Sequence, residues 1–167
     1  MSAARSPAAL VMAKSPAAGL AKTRLAPLLG AEGAALLQAE LIGQALRWAE
    51  AVAPDAVFLS YTPEPIEPPG VPVTCSFPQR GADLGQRLDA AVRCVFERHD
   101  GPLLVVGTDT PTLTHSHAET ALGRLDGGSD VCFGPALDGG YYLVGLARPC
   151  PECFALPGSC WGGPRVL

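Results

Sequence analysis

The stretch Leu103 to Leu113 reads LLVVGTDTPTL. Its apolar run 103–106 predicts a buried strand that ends at Gly107 and delivers Asp109 just past its end, where Pro111 forbids simple continuation of a strand or helix. In an open α/β sheet the ligand crevice lies beyond the carboxyl ends of the strands, so an acid there is a natural metal or substrate contact. Asp-x-Pro is equally ordinary turn chemistry, and the stretch alone leaves both readings standing.

Upstream, the apolar run AALVMA at 8–13 predicts the first buried strand. The segment Lys14 to Leu25, KSPAAGLAKTRL, is then a loop with Pro16 and Gly19, closing on Lys22 and Arg24 around Thr23. Small residues let backbone N–H groups approach phosphate oxygens, and nearby cations offset the charge. The spacing is not that of a Walker A loop, and a solvated basic loop is the plain alternative. Ten of the twelve cationic residues are Arg; the only two Lys are Lys14 and Lys22, both in this segment. Codon bias would explain that, as would a need for a compact ammonium.

From Ala31 to Ala53 the residues Leu37, Leu41, Ala45, Trp48 and Val52 recur at helical spacing, which predicts an amphipathic helix packed on a sheet, with Trp48 in the core. AVFLSY at 56–61 reads as a second strand. The Pro-rich TPEPIEPPG is a stiff turn, and VPVTC at 71–75 is a short or edge third strand because it contains Pro72. Asp83 with Gln86 resembles a capping box ahead of Leu84, Leu88, Ala91 and Val95 at helical spacing, with Arg80 and Arg87 at the helix start. After the central strand, Ser116 and Glu119 predict a second capping box for a helix running to about Leu125, with His115 and His117 as surface residues of that start. Residues 129–146, SDVCFGPALDGGYYLVGL, read as two strands joined by a turn in which Asp138, Gly139 and Gly140 leave the backbone unobstructed. Cys150 and Cys153 have C-x-x-C spacing, but zinc would need a fourth ligand and a redox motif would open a helix after a strand, so they read as incidental loop cysteines.

At 167 residues and 48% hydrophobic, the chain suits one core, and a single domain over 1–167 is expected. A net charge of -4 argues against nucleic acid or an anionic membrane surface as partner. No apolar run is expected to approach a bilayer span, and Lys14 and Pro16 interrupt the only candidate signal core, so a cytoplasmic protein with six reduced cysteines is expected.

Four strings carry a more specific resemblance: AKSPAAGLAKTRL (13–25), ADLGQRL (82–88), GTDTP (107–111) and GPALDGGYYLVGL (134–146). In this order and spacing they resemble the bacterial GT-A-like transferases known as radical-SAM/selenodomain-associated transferase 1. Members are also named arsenosugar-biosynthesis glycosyltransferases, and they are similar to 2-phospholactate guanylyltransferase and, more remotely, to molybdenum-cofactor guanylyltransferases. The likeness spans about residues 8 to 161.

The resemblance implies an α/β nucleotide-diphospho-sugar transferase fold of the GT-A type, with a mixed, mostly parallel sheet flanked by helices. It also implies a divalent cation, Mg²⁺ or Mn²⁺. Carried over residue by residue, Lys14, Gly19, Lys22 and Arg24 belong to the nucleotide phosphate loop, with Lys22 also taking up charge in catalysis. Asp109 corresponds to the metal-binding aspartate, and Asp138, Gly139 and Gly140 line the sugar or acceptor side; the general base for an acceptor would be Asp138 or a residue of the family's C-terminal continuation. Asp83 and Arg87 match the family's helix motif and would position base or ribose. The implied activity is metal-dependent glycosyl transfer from a nucleotide-diphosphate sugar to a small-molecule acceptor. Nucleotidyl transfer from a nucleoside triphosphate with release of pyrophosphate is the alternative, and a non-catalytic nucleotide-binding protein a third. The family usually continues past the Trp that Trp161 resembles, so the chain reads as C-terminally short. A large exposed apolar patch at that place would support a homodimer.

Overall fold

A computed structural model describes residues 5–161. Six strands form one sheet: β1 (Ala8–Lys14), β2 (Val57–Thr62), β3 (Cys75–Pro78), β4 (Leu103–Val106), β5 (Val131–Pro135) and β6 (Tyr141–Leu146). Their order is β3-β2-β1-β4-β6-β5, with β3, β2, β1 and β4 parallel and β6 antiparallel to both β4 and β5. Three helices, α1 (Ala26–Val52), α2 (Leu84–Phe96) and α3 (His115–Asp126), connect them.

Strand alternation divides the apolar residues between the faces. Ala9, Val11 and Ala13 pack with Ile42, Leu46 and Ala49 of α1 and Ala118 and Ala121 of α3. Ala8 and Leu10 pack with Leu88, Val92 and Val95 of α2 and with Phe154. Helices on both faces explain why the parallel strands are apolar on both sides. The chain runs from β1 outward to β3, then returns through α2 to place β4 on the other side of β1. The order therefore reverses between β1 and β4, and a crevice opens beyond their carboxyl ends, after Lys14 and Val106.

Several local expectations shift. The ladder of β3 starts at Cys75, not Val71: Pro72 cannot donate, and the Thr74 hydroxyl takes the Val57 N–H at 3.1 Å instead. β3 is an edge strand, as expected. Helix α1 begins before Ala31, with Gly30 non-helical at φ 72° and ψ 165°, and it presents Gln38, Ile42, Leu46 and Ala49 to the sheet while Leu37, Leu41 and Ala45 are only half-buried. Trp48 is buried as expected, its indole donating to the Thr114 carbonyl at 2.9 Å. Leu84 is exposed although it fits the α2 stripe. Helix α3 is capped by Thr114 and His117, not Ser116 and Glu119: the Thr114 N–H donates to His117 Nδ1 at 3.0 Å.

Contrary to the expectation from its runs, the segment Thr23–Val52 is long and apolar enough to cross a membrane by length and composition. In this fold the Ile42, Leu46 and Ala49 side serves as a core face. Leu28 and Leu36 are exposed on its first half.

Candidate functional site

A cleft of about 800 Å³ lies at the reversal point, over the ends of β1 and β4. Lys14 is the last residue of β1, and Lys22, Arg24, Arg87 and Asp109 also line the cleft. A lobe of about 380 Å³ adjoins it, sharing Met12, Leu84, Asp109, Tyr141 and Tyr142, and adds Asp138, Gly140 and Trp161. Four cations and two carboxylates from five segments of chain thus face one continuous space.

The loop after β1 is held at both ends. Ser15 is buried, its hydroxyl bonded to the Glu64 main chain, and Ala21 is buried below the loop. Gly19 adopts φ 78° with open space where a Cβ would stand. It serves the turn and is not among the residues lining the cleft or the lobe. Lys22 follows with φ 48° and ψ 40°, the one described residue other than glycine with positive φ. This strained position points its ammonium at the Asp109 carboxylate, with which it forms an ion pair. Asp109 remains 79% exposed and therefore open to a ligand, whereas Lys22 is only 17% exposed.

Two glutamines secure the floor. The Gln38 amide, buried in α1, donates to the Lys14 carbonyl at 2.8 Å and to the Thr108 hydroxyl at 3.4 Å, and that hydroxyl donates to Asp109 at 3.3 Å. Gln79 donates to the Ala13 and Ser60 carbonyls at 3.2 and 3.1 Å, tying the end of β1 to β2. Neither stood out in the sequence. Gln38 replaces an apolar residue on a core-facing stripe, which is the one signal that could have revealed it.

Asp83 does not reach the cleft: its carboxylate caps α2, accepting the Gln86 N–H at 2.9 Å. Arg87 does reach it, and its Nε donates to the Gly81 carbonyl at 3.0 Å. In the 136–140 turn Asp138 Oδ1 accepts the Gly140 N–H at 3.0 Å, while Gly139 takes φ 86° and is not among the lining residues. Tyr141 and Tyr142 form the wall between turn and cleft. Burial pushes the Tyr141 phenol up to about 12, and neither its hydroxyl nor the Trp161 indole N–H has a partner among the described residues.

The described residues contain no group of three or more His, Cys, Asp or Glu side chains arranged to hold a metal ion. A small hard cation bound chiefly by substrate phosphates needs only one or two protein carboxylates, and Asp109 offers one. The residues present therefore fit a cation that arrives with phosphates.

A solved structure from Desulfovibrio desulfuricans G20, described as a “putative nucleotide-diphospho-sugar transferase”, is similar with a TM-score of 0.80 and 28% identity over 97% of this chain and 72% of that one. The fold is thus that of a nucleotide-diphospho-sugar transferase. No curated protein matches. A family model covers residues 64–156, more than half of the chain, including Arg87, Asp109 and the 136–140 turn. The chain belongs to that family, DUF2064, described as “Uncharacterized protein conserved in bacteria”.

Proposed function

We propose that this protein is a glycosyltransferase that takes a nucleotide-diphosphate sugar as donor and a small molecule as acceptor. The observation that carries the reading is the convergence of Lys14, Lys22, Arg24 and Arg87 with Asp109 on one cleft continuous with the Asp138 lobe. Four cations facing a crevice at a sheet's reversal point suit a diphosphate, and the adjoining lobe has room for a sugar and the reacting end of an acceptor. The similarity to the Desulfovibrio protein supports the same class of donor.

Asp109 would hold Mg²⁺ or Mn²⁺, which when bound supplies positive charge to the diphosphate oxygens. Lys22 and Arg24, which both line the cleft, present positive charge to the same group as it departs. Leu84, Met12 and the two tyrosines give the lobe much of its apolar lining. Asp138, with one carboxylate oxygen engaged in its turn, keeps the other for the acceptor proton.

A thermal-shift panel of nucleoside triphosphates and nucleotide-diphosphate sugars, with and without Mn²⁺, tests this on the native chain and Asp109→Asn. At a hundredfold excess over Kd a ligand stabilises the fold by about 2.7 kcal/mol, roughly 5–10 °C in Tm for a chain of this size. The expected result is a metal-dependent rise with one diphosphate sugar that disappears in Asp109→Asn. A rise with triphosphates alone would replace glycosyl by nucleotidyl transfer, and no rise with any donor would overturn the reading.

A further inference from the structure

Cys150 and Cys153 stand outside the chemistry of the cleft, and their surroundings differ from the loop expected from the sequence. They follow β6, and Pro151–Phe154 form a 3₁₀ turn that Cys150 opens. The Cys153 N–H donates to the Cys150 carbonyl at 3.1 Å, so the backbone already folds one cysteine over the other. Their sulfurs are 3.1 Å apart, with the Cys153 thiol donating to Cys150. A disulfide has sulfurs about 2.0 Å apart, so closure needs about 1 Å of side-chain movement. Pro151 restrains the intervening backbone. Both cysteines are partly exposed, and the other four make no sulfur–sulfur contact of this kind among the described residues.

We propose that Cys150 and Cys153 are a reversible dithiol–disulfide site built against the wall of the cleft. The two sulfurs have different environments. Burial, together with the hydrogen bond to Cys150, pushes the Cys153 thiol up to about 12, so Cys153 is the poorer first nucleophile. Cys150, which opens the turn and whose sulfur accepts the Cys153 thiol hydrogen, is assigned the attack, and Cys153 resolves. With a small-molecule disulfide as oxidant, Cys150 loses its proton to solvent and attacks one sulfur of that disulfide. A mixed disulfide forms, and the first small thiolate leaves and takes up a proton. Cys153, losing its own proton, then attacks the Cys150 sulfur and expels the second thiolate. The protein gives up two electrons and two protons, and the external disulfide becomes two thiols.

The two cysteines pack on the same apolar cluster as Tyr141, which lines the cleft. Cys153 lies close enough to raise the Tyr141 phenol electrostatically, after the larger effect of burial, and Cys150, Cys153, Tyr141 and Trp161 belong to one apolar cluster. Oxidation thus repacks the underside of the cleft wall.

The test is equilibration of the full chain in buffers of graded reduced-to-oxidised glutathione ratio, followed by acid quench, alkylation and peptide mapping. The expected result is loss of two of the six alkylatable thiols, mapped to Cys150 and Cys153, reversed by reduced glutathione. Cys153→Ser should stop at a glutathione adduct on Cys150, and Cys150→Ser should leave Cys153 unmodified. Persistence of all six thiols in oxidised glutathione, or bridging of either residue to another cysteine, would overturn the proposal. The native-chain map decides this even if a variant fails to fold. Oxidation should also change the near-ultraviolet aromatic signal in the native chain but not in Cys153→Ser; an unchanged signal would overturn the placement against the wall.

Discussion

Lys22 combines two properties that sequence inspection does not join: a left-handed backbone and an ion pair with the acid of the site. For a residue with a Cβ that backbone costs about 1–2 kcal/mol, so the loop spends stability to place an ammonium. Lys22→Ala keeps the strain and loses the amine, whereas Lys22→Gly loses both. Denaturant unfolding should find the Gly variant more stable than the Ala variant by about 1 kcal/mol, with donor-induced Tm shifts lost in both. Gln38 acts one layer deeper. Gln38→Leu fills the same space but strips the Lys14 carbonyl and Thr108 of their amide partner. A cost of about 1–3 kcal/mol in urea unfolding is expected, with a smaller donor-induced Tm shift as the Asp109 loop loosens. Unchanged stability would mean that water replaces the amide without penalty.

Helix α2 and the segment around Trp161 are coupled through one missing Cβ. At Gly85 a Cβ would stand 2.4 Å from the Phe154 carbonyl and 2.7 Å from the Trp161 ring. Gly85→Ala improves helix propensity by about 1 kcal/mol yet overpacks the contact by about 1–3 kcal/mol. The expected outcome is a lower Tm together with a changed tryptophan emission; a higher Tm would show that the segment yields freely. The β5–β6 hairpin is closed at its open end by Asp130 and Arg148, whose two hydrogen bonds measure 2.9 and 2.8 Å. Those bonds and the guanidinium charge hold the Asp130 carboxyl below its ordinary value of 3.8. A depressed folded pKa stabilises above the unfolded value and is lost as pH falls through the lower folded one. The stability difference between the native chain and Asp130→Asn should therefore be constant near neutrality and fade below about pH 4. Both side chains are exposed, so the difference is small. A difference persisting at strongly acid pH would assign it to something other than the pair.

Across the molecule, the strand order places the ends of β1 and β4 side by side, and with them two loops far apart in the chain. Among the described residues, six of the seven exposed large apolar side chains, Leu20, Leu25, Leu28, Leu29, Leu84 and Leu137, belong to segments at this same end of the sheet. Of these, Leu25 and Leu84 line the cleft itself, beside Lys22, Arg24 and Arg87.

Most elements were legible because their signals are short-range. The runs at 8–13, 56–61 and 103–106, the Asp-Gly-Gly turn, and Asp83 capping α2 each depend on neighbours within a few residues. The misreadings of α1 and β3 have a different cause. For α1, the stripe through Leu37, Leu41 and Ala45 and the stripe through Gln38, Ile42 and Leu46 obey the same periodicity, and only docking on the sheet selects between them. β3 began late because its ladder partner, β2, lies more than a dozen residues upstream and the Thr74 hydroxyl occupies the first donor. Sequence alone thus established the alternation of strands and helices, the small-residue basic loop and the acid after β4, since periodicity, turn chemistry and charge are local properties. Only the tertiary structure brought Lys22 onto Asp109 across 87 residues, tied Gln38 to Lys14 and Thr108, left Asp83 to its helix and gathered Cys153 and Tyr141 on one apolar cluster. Those contacts join segments whose distances are set by sheet order and helix packing, which no local pattern encodes.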